Sequence, residues 1–302
     1  MTSILPRLLL APLLLVAACV DPDVSSARQP VIHGDLTPAG RYPATGALMI
    51  DVNGDGPQPT CSGTLIGPRA VLTAAHCLDP ELIGNAIPGF TLALDANAAG
   101  PDDITPGAAT HEHPSFDLGA DISDGIDHWY DIGILELAKD APTTNYEILP
   151  SPDEAQALAD VSQVDLVGYG LISNDTYDAG VKHDGVADLV EVGDYELFIA
   201  QPGQQQNCNG DSGGPAFADI NGERRIVGTV SRSPDNNPVC DHGGIDTRVD
   251  AYLDWIDQNA DVPCGGLESP CGDSQSGGCN AGAPGSGTLL AFLLLFRRKS
   301  RT

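Results

Sequence analysis

Cys208-Asn209-Gly210-Asp211-Ser212-Gly213-Gly214-Pro215 places a serine inside a run of glycines, directly after an aspartate. Glycine lets a backbone approach other groups closely and adopt conformations closed to other residues. Such a run also lets consecutive N–H groups converge on one point, as stabilising an oxyanion requires. A turn in any loop-rich protein can share this composition, so the stretch acquires meaning only with partners. Two lie upstream. Leu72-Thr73-Ala74-Ala75-His76-Cys77 supplies a histidine after an apolar run, and Asp131-Ile132-Gly133-Ile134-Leu135-Glu136-Leu137 opens an apolar run with an aspartate. A serine nucleophile, a histidine base and a carboxylate that orients the base are the parts of acyl-transfer chemistry. Asp127 is a rival for the acid, but the alternation of a buried strand begins directly after Asp131.

Around these motifs the 302 residues include 35 Gly and 24 Pro and are 41% hydrophobic. That is turn-rich, with enough apolar side chain for a sizeable core, and it points to an all-β domain. The formal net charge of −28 at pH 7 repels phosphate backbones and anionic lipid, which argues against nucleic acid as a partner. Eight cysteines behind an export signal imply an oxidising compartment.

From about Val31 to Ala260 the three motifs together resemble the trypsin/chymotrypsin-like serine peptidases. The resemblance implies two six-stranded antiparallel Greek-key β-barrels with a short C-terminal helix. His76 and Asp131 would come from the first barrel and Ser212 from the second. It implies His76 as general base, Asp131 as its orienting acid, Ser212 as nucleophile, and the N–H groups of Gly210 and Ser212 as the oxyanion hole. It pairs Cys61 with Cys77 and Cys208 with Cys240. It assigns the specificity pocket to Gln206, Ser231, Ser233 and Gly244; Ser231 would also support Asp131, and Arg232 stands where a tryptophan is usual. Tryptic members carry an aspartate on the pocket floor, so the neutral Gln206 implies a preference for uncharged or polar side chains. Val31-Ile32-His33-Gly34 resembles the start of a mature domain, where cleavage before Val31 frees an ammonium to pair with Asp211. Pro30 at that cut, with Arg28 the nearest basic residue, departs from the family pattern and leaves the activating protease unknown. The reading is an exported serine endopeptidase that hydrolyses protein or peptide substrates through an acyl-enzyme without a cofactor. Its alternatives are a catalytically silent, surface-displayed binding module on the same scaffold and an esterase using the same triad.

The ends of the chain read as addresses. Residues 1–18 form a signal peptide, with Arg7 before the apolar run Leu8 to Val16. Val16-Ala17-Ala18-Cys19 resembles a bacterial lipobox that would lipidate Cys19, and Val20 after it points to the outer membrane. Residues 19–30 are a polar linker and 261–287 a Gly/Ser/Pro-rich stalk in which Cys264 and Cys271 would pair. In 288–302 an apolar block too short for the ~20 residues of a membrane span precedes Arg297, Arg298, Lys299 and Arg301. With Cys279 as the anchor, this resembles the C-terminal sorting signals of myxobacterial surface proteins. The protein would therefore meet a membrane only through its terminal anchors, at the cell surface, or be secreted. Asp51, Asn53 and Asp55 have the spacing of half a calcium loop, but Ser62 stands where the bidentate glutamate belongs; we read a turn, with calcium as the alternative. His111, His113 and His128 read as exposed loop histidines.

Overall fold

The computed structural model describes residues 31–262 except 52–53, 122–124, 176–177 and 236–238. Cys19, Asn53, Cys264, Cys271, Cys279 and both terminal signals lie outside the described residues. The chain forms two closed barrels. The first contains β2 (Thr45–Ile50), β3 (Gln58–Leu65), β4 (Ala70–Thr73), β5 (Gly89–Thr91), β6 (Ile104–Glu112) and β7 (Gly133–Leu137). These close in the order β2-β3-β4-β7-β6-β5. The second contains β8 (Gln163–Gly168), β9 (His183–Val192), β10 (Glu196–Ile199), β11 (Pro215–Ile220), β12 (Glu223–Arg232) and β13 (Gly244–Arg248). Here the order is β9-β10-β13-β12-β11-β8, and β8 pairs back onto β9. The two-residue β1 (Asp35–Leu36) pairs with β9, and every pairing is antiparallel. The expected pair of six-stranded barrels is therefore present.

Side-chain burial explains why the barrels stay together. Leu48, Leu65, Val71, Phe90 and Leu135 fill the first barrel, and Leu166, Leu197, Ile199, Ala216 and Val227 fill the second. A further cluster joins them: Tyr42, Ile66, Leu72 and Ile134 of the first half pack with Val167, Phe217, Ile226 and Val249 of the second. Each such large side chain contributes roughly 1.5–3 kcal/mol when removed from water, so this seam fixes the cleft above it. Ile256 of α2 (Leu253–Asn259) plugs into the same seam, which is why the short apolar periodicity near the C-terminus becomes a helix. A one-turn helix, α1 (Pro80–Ile83), is capped by Asp79, whose carboxylate accepts from the Glu81 N–H. Among the described residues no helix is long and apolar enough to cross a membrane.

Two expectations about loops change. His113 stacks on Tyr130 at 5.0 Å and meets Tyr252 and Trp255, while His128 lies between Tyr130 and Tyr195. Both belong to an aromatic cluster rather than to exposed loops, and burial pushes both imidazoles below their usual pKa. His111 sits on β6, its Nε2 4.0 Å from Glu136. Asp51 accepts a hydrogen bond from the Gly54 N–H, three residues on, at 2.6 Å.

Candidate active site

Asp131 ends the loop that enters β7 and is fully buried. Its carboxylate has three donors: the His76 N–H at 2.9 Å, the His76 ring Nδ1 at 2.8 Å and the Ser231 hydroxyl at 2.6 Å. The Thr247 hydroxyl donates to the Asp131 carbonyl at 2.8 Å, so β13 braces the same residue. Burial alone would raise the Asp131 pKa, but His76 and these hydrogen bonds hold it below the usual carboxylate range. Burial would likewise lower His76, and the Asp131 charge and hydrogen bond outweigh it, so the imidazole sits above its usual value. Asp127, the rival acid, is exposed, and its N–H donates to Glu196 at 2.6 Å.

The backbone of the serine turn is tied to β3 and to Cys77, the residue after His76. The Ser212 carbonyl accepts from the Ser62 N–H of β3 at 2.8 Å, and the Ser62 hydroxyl donates to the Gly210 carbonyl at 2.9 Å. Cys77 Sγ lies 3.7 Å from His76 Nε2 and 3.6 Å from the Ser212 carbonyl oxygen, so histidine and serine flank one sulfur. Gly213 has φ 78°, and a Cβ there would come 2.0 Å from Thr73 Oγ1; only glycine permits this approach between barrels. Among the described residues, the N–H groups of Gly210 and Ser212 donate to no protein acceptor. Two free donors beside a nucleophile are what a developing oxyanion needs.

Asp211 is fully buried behind the serine. Its carboxylate accepts from the Gly170 N–H at 2.7 Å and the Cys208 N–H at 2.8 Å. A Cβ on Gly168 would come 2.0 Å from Asp211 Oδ1, so glycine there makes room for the carboxylate. Burial pushes its pKa up to about 7, against the pull of the two N–H groups. Val31 is buried in the second barrel with Leu158, Val164 and Leu166. Its nitrogen is still part of the Pro30–Val31 peptide bond, and the expected pair with Asp211 requires that bond to be cut.

Both expected disulfides are present, Cys61–Cys77 and Cys208–Cys240. Cys61, Cys77 and His76 cluster within 4.8 Å, but sulfurs joined as a disulfide offer no thiolate to a metal. Of the four pocket residues, Ser231 serves Asp131, and Ser233 is half-buried beside Arg232. Gln206 is tied to the backbone on both sides of its amide, its Oε1 accepting from the Gly243 N–H at 2.7 Å and its Nε2 donating to the Gln204 carbonyl. It braces the chain rather than presenting a free amide. Arg232 forks onto Glu196 at 2.6 and 2.8 Å and covers Trp129, whose ring stacks 6.4 Å from His76.

Sequence reasoning missed Glu196, Trp129, Asn207 and Asp246. Asp246 carried a signal: an aspartate inside the β13 run Gly244–Arg248 is costly unless something pairs with it.

The acid limb of activity follows from the His76–Asp131 pair. A histidine that takes the serine proton must be neutral, so with His76 in that role kcat/KM is expected to fall as pH drops through an apparent pKa above the usual 6.5. A pH–rate profile checks this; a limb at or below 6.5 contradicts it.

Comparison with known proteins agrees with this geometry. The family profile described as Trypsin matches residues 31–256. The chain is similar to Chymotrypsin-like elastase family member 1 of Canis lupus familiaris, 27% identical over 256 residues, covering 78% of this chain and 93% of the relative. It is similar to CLIP domain-containing serine protease B15 of Anopheles gambiae, 27% identical over 260 residues, covering 75% and 68%. Kallikrein-8 of Homo sapiens is 26% identical over 224 residues, covering 67% and 77%.

Proposed function

The chain belongs to the trypsin family of serine proteases, and we propose that it is an exported serine endopeptidase, made as a precursor, acting through His76, Asp131 and Ser212. The observation that carries this reading is the buried Asp131 carboxylate, which accepts from His76 Nδ1 at 2.8 Å and from Ser231 at 2.6 Å. With Nδ1 donating to Asp131, Nε2 is left to accept the serine proton. Ser212 then attacks the scissile carbonyl; the C–O bond to the serine forms as the carbonyl π pair moves onto oxygen. The N–H groups of Gly210 and Ser212 receive that oxyanion. Collapse expels the amine, which takes the proton from His76, and leaves an acyl-enzyme. Water, deprotonated by His76, hydrolyses it and restores Ser212.

Processing before Val31 is part of the proposal. Asp211 is a buried carboxylate held only by backbone N–H groups, and a buried charge favours a cationic partner. Val31 has φ 43°, a conformation costing a β-branched residue roughly 1–3 kcal/mol. Cutting the Pro30–Val31 bond would relieve that strain and create the ammonium together. The two disulfides fit an oxidising, extracytoplasmic compartment. Anchoring through Cys19 or Cys279 remains our proposal for how such an enzyme is retained at a surface.

Turnover of an unfolded protein and of a simple ester by the processed chain tests the reading. Fragmentation of the protein that Ser212→Ala loses is expected. Ester hydrolysis without protein cleavage would make the chain an esterase, and neither activity would make it a binding module.

A further inference from the structure

Among the buried side-chain oxygens of the second barrel that have no hydrogen-bond partner are Asp246 Oδ2 and Asn207 Oδ1. They belong to one pair, because Asn207 Nδ2 donates to Asp246 Oδ1 at 3.3 Å. Asp246 is 0% exposed and Asn207 6%, so bulk solvent does not reach what the protein leaves open. An orphaned carboxylate oxygen and an orphaned amide oxygen ask for a donor, and a cation answers both needs.

Their position relative to the serine is set by strand pairing. The Gly213 N–H donates to the Val230 carbonyl at 2.8 Å and the Val230 N–H to the Gly214 carbonyl at 2.9 Å. On its other side Val230 is opposite Asp246 in β13. The carboxylate is thus two strand spacings, roughly 10 Å, from the serine turn. A substrate held at Ser212 would need a long side chain to span that distance. Gly244 lies two residues before Asp246, on the same face of β13. A Cβ there would stand 3.6 Å from Asn207 Nδ2 and 4.0 Å from Asp246 Oδ1, so its absence leaves space in front of the pair.

We propose that Asp246, with Asn207 beside it, is the base of the substrate side-chain pocket and selects lysine or arginine at the residue whose carbonyl Ser212 attacks. The proposal rests on the endopeptidase reading and replaces the uncharged preference expected from Gln206, whose amide is engaged with Gly243 and Gln204. The other acids near Asp246 are Asp211 and Glu196; burial, against the pull of the Asn207 hydrogen bond and with the repulsion of those acids, pushes its carboxyl up to about 8. Glu196 is already paired with Arg232, and a cationic side chain arriving beside Asp246 would draw the proton off its carboxyl and pair with the carboxylate. A cationic side chain arriving there meets a carboxylate with no competing cation among the described residues.

Peptides identical except for Lys, Arg, Gln, Leu or Ala at the cleaved position test the proposal. Wild type is expected to turn over the Lys and Arg peptides about 10²–10³-fold better than the others, the scale of pairing against stranding a buried charge. Asp246→Asn should lose that preference while retaining at least wild-type thermal stability, since it removes a buried charge. Gly244→Ala, whose Cβ meets only ordinary contacts, should lower Lys and Arg turnover more than Ala turnover. A wild-type preference for Leu, Gln or Ala, or one that survives in Asp246→Asn, overturns the proposal. Calorimetric titration with n-butylguanidinium against n-pentanol separates this from the parent reading. Binding of the cation to wild type and not to Asp246→Asn, without turnover of any peptide, would keep the cation site and remove the endopeptidase. Neither binding nor turnover would remove both.

Discussion

Asp131→Asn is expected to lower kcat about 10⁴-fold while leaving the protein folded. The reason lies in the hydrogen-bond count. The wild-type carboxylate accepts from the His76 N–H, the His76 ring and the Ser231 hydroxyl. An asparagine amide has one acceptor atom and one donor atom at the same place. If its oxygen keeps the His76 N–H, its NH₂ faces Nδ1 and forces that nitrogen to accept. The proton then resides on Nε2, and the base is switched off although no atom has moved far. The measurement is kcat and KM for one peptide substrate alongside the thermal midpoint. A loss carried in kcat, with an unchanged midpoint, is the expected pattern. Full activity in Asp131→Asn would remove the aspartate from the mechanism.

Processing before Val31 should raise activity by about 10²–10³-fold, the amount associated with one oxyanion-hole donor, and Asp211→Asn should abolish the gain. The same substitution should have the opposite effect on the precursor's stability. In the uncut chain burial pushes Asp211 up to about 7, above its usual 3.8. For a carboxyl raised on folding, the stabilisation is fully present below pH 3.8 and is lost as pH rises through about 7. Asp246 acts in the same direction. The precursor should therefore melt lower at pH 8 than at pH 4. Asp211→Asn should recover up to about 4 kcal/mol of the loss, several degrees in a domain of this size. In the processed enzyme a Val31 ammonium would lower the Asp211 pKa and remove this group's loss. Thermal melts of both forms at the two pH values measure the effect; equal losses in the two forms would mean that Val31 never reaches Asp211.

The paired barrels and the two disulfides were legible through the resemblance that three short motifs carry, and the candidate triad residues lie in those motifs. His76 follows the strand Ala70–Thr73, Asp131 precedes the strand Gly133–Leu137, and Ser212 sits among glycines. What stayed hidden depends on pairs that only the fold brings together. The Gln206 amide is used up by Gly243, 37 residues away, and Asp246 meets Asn207 across 39. Arg232 reads as a substituted pocket residue until Glu196, 36 residues upstream, takes its guanidinium. His113 and His128 look like loop residues because nothing local announces Tyr130, Tyr195 and Trp255 around them. Alternation along a strand tells which residues are inside; strand register decides which of them touch.

Labelling with a serine-reactive fluorophosphonate tests the central claim most directly, because it reads the reactivity of one oxygen without assuming a substrate. Protein beginning at Val31 should be labelled at Ser212, His76→Ala should label far more slowly, and Ser212→Ala should not label at all. Absence of label on the processed wild type, or label that persists in Ser212→Ala, would contradict the account.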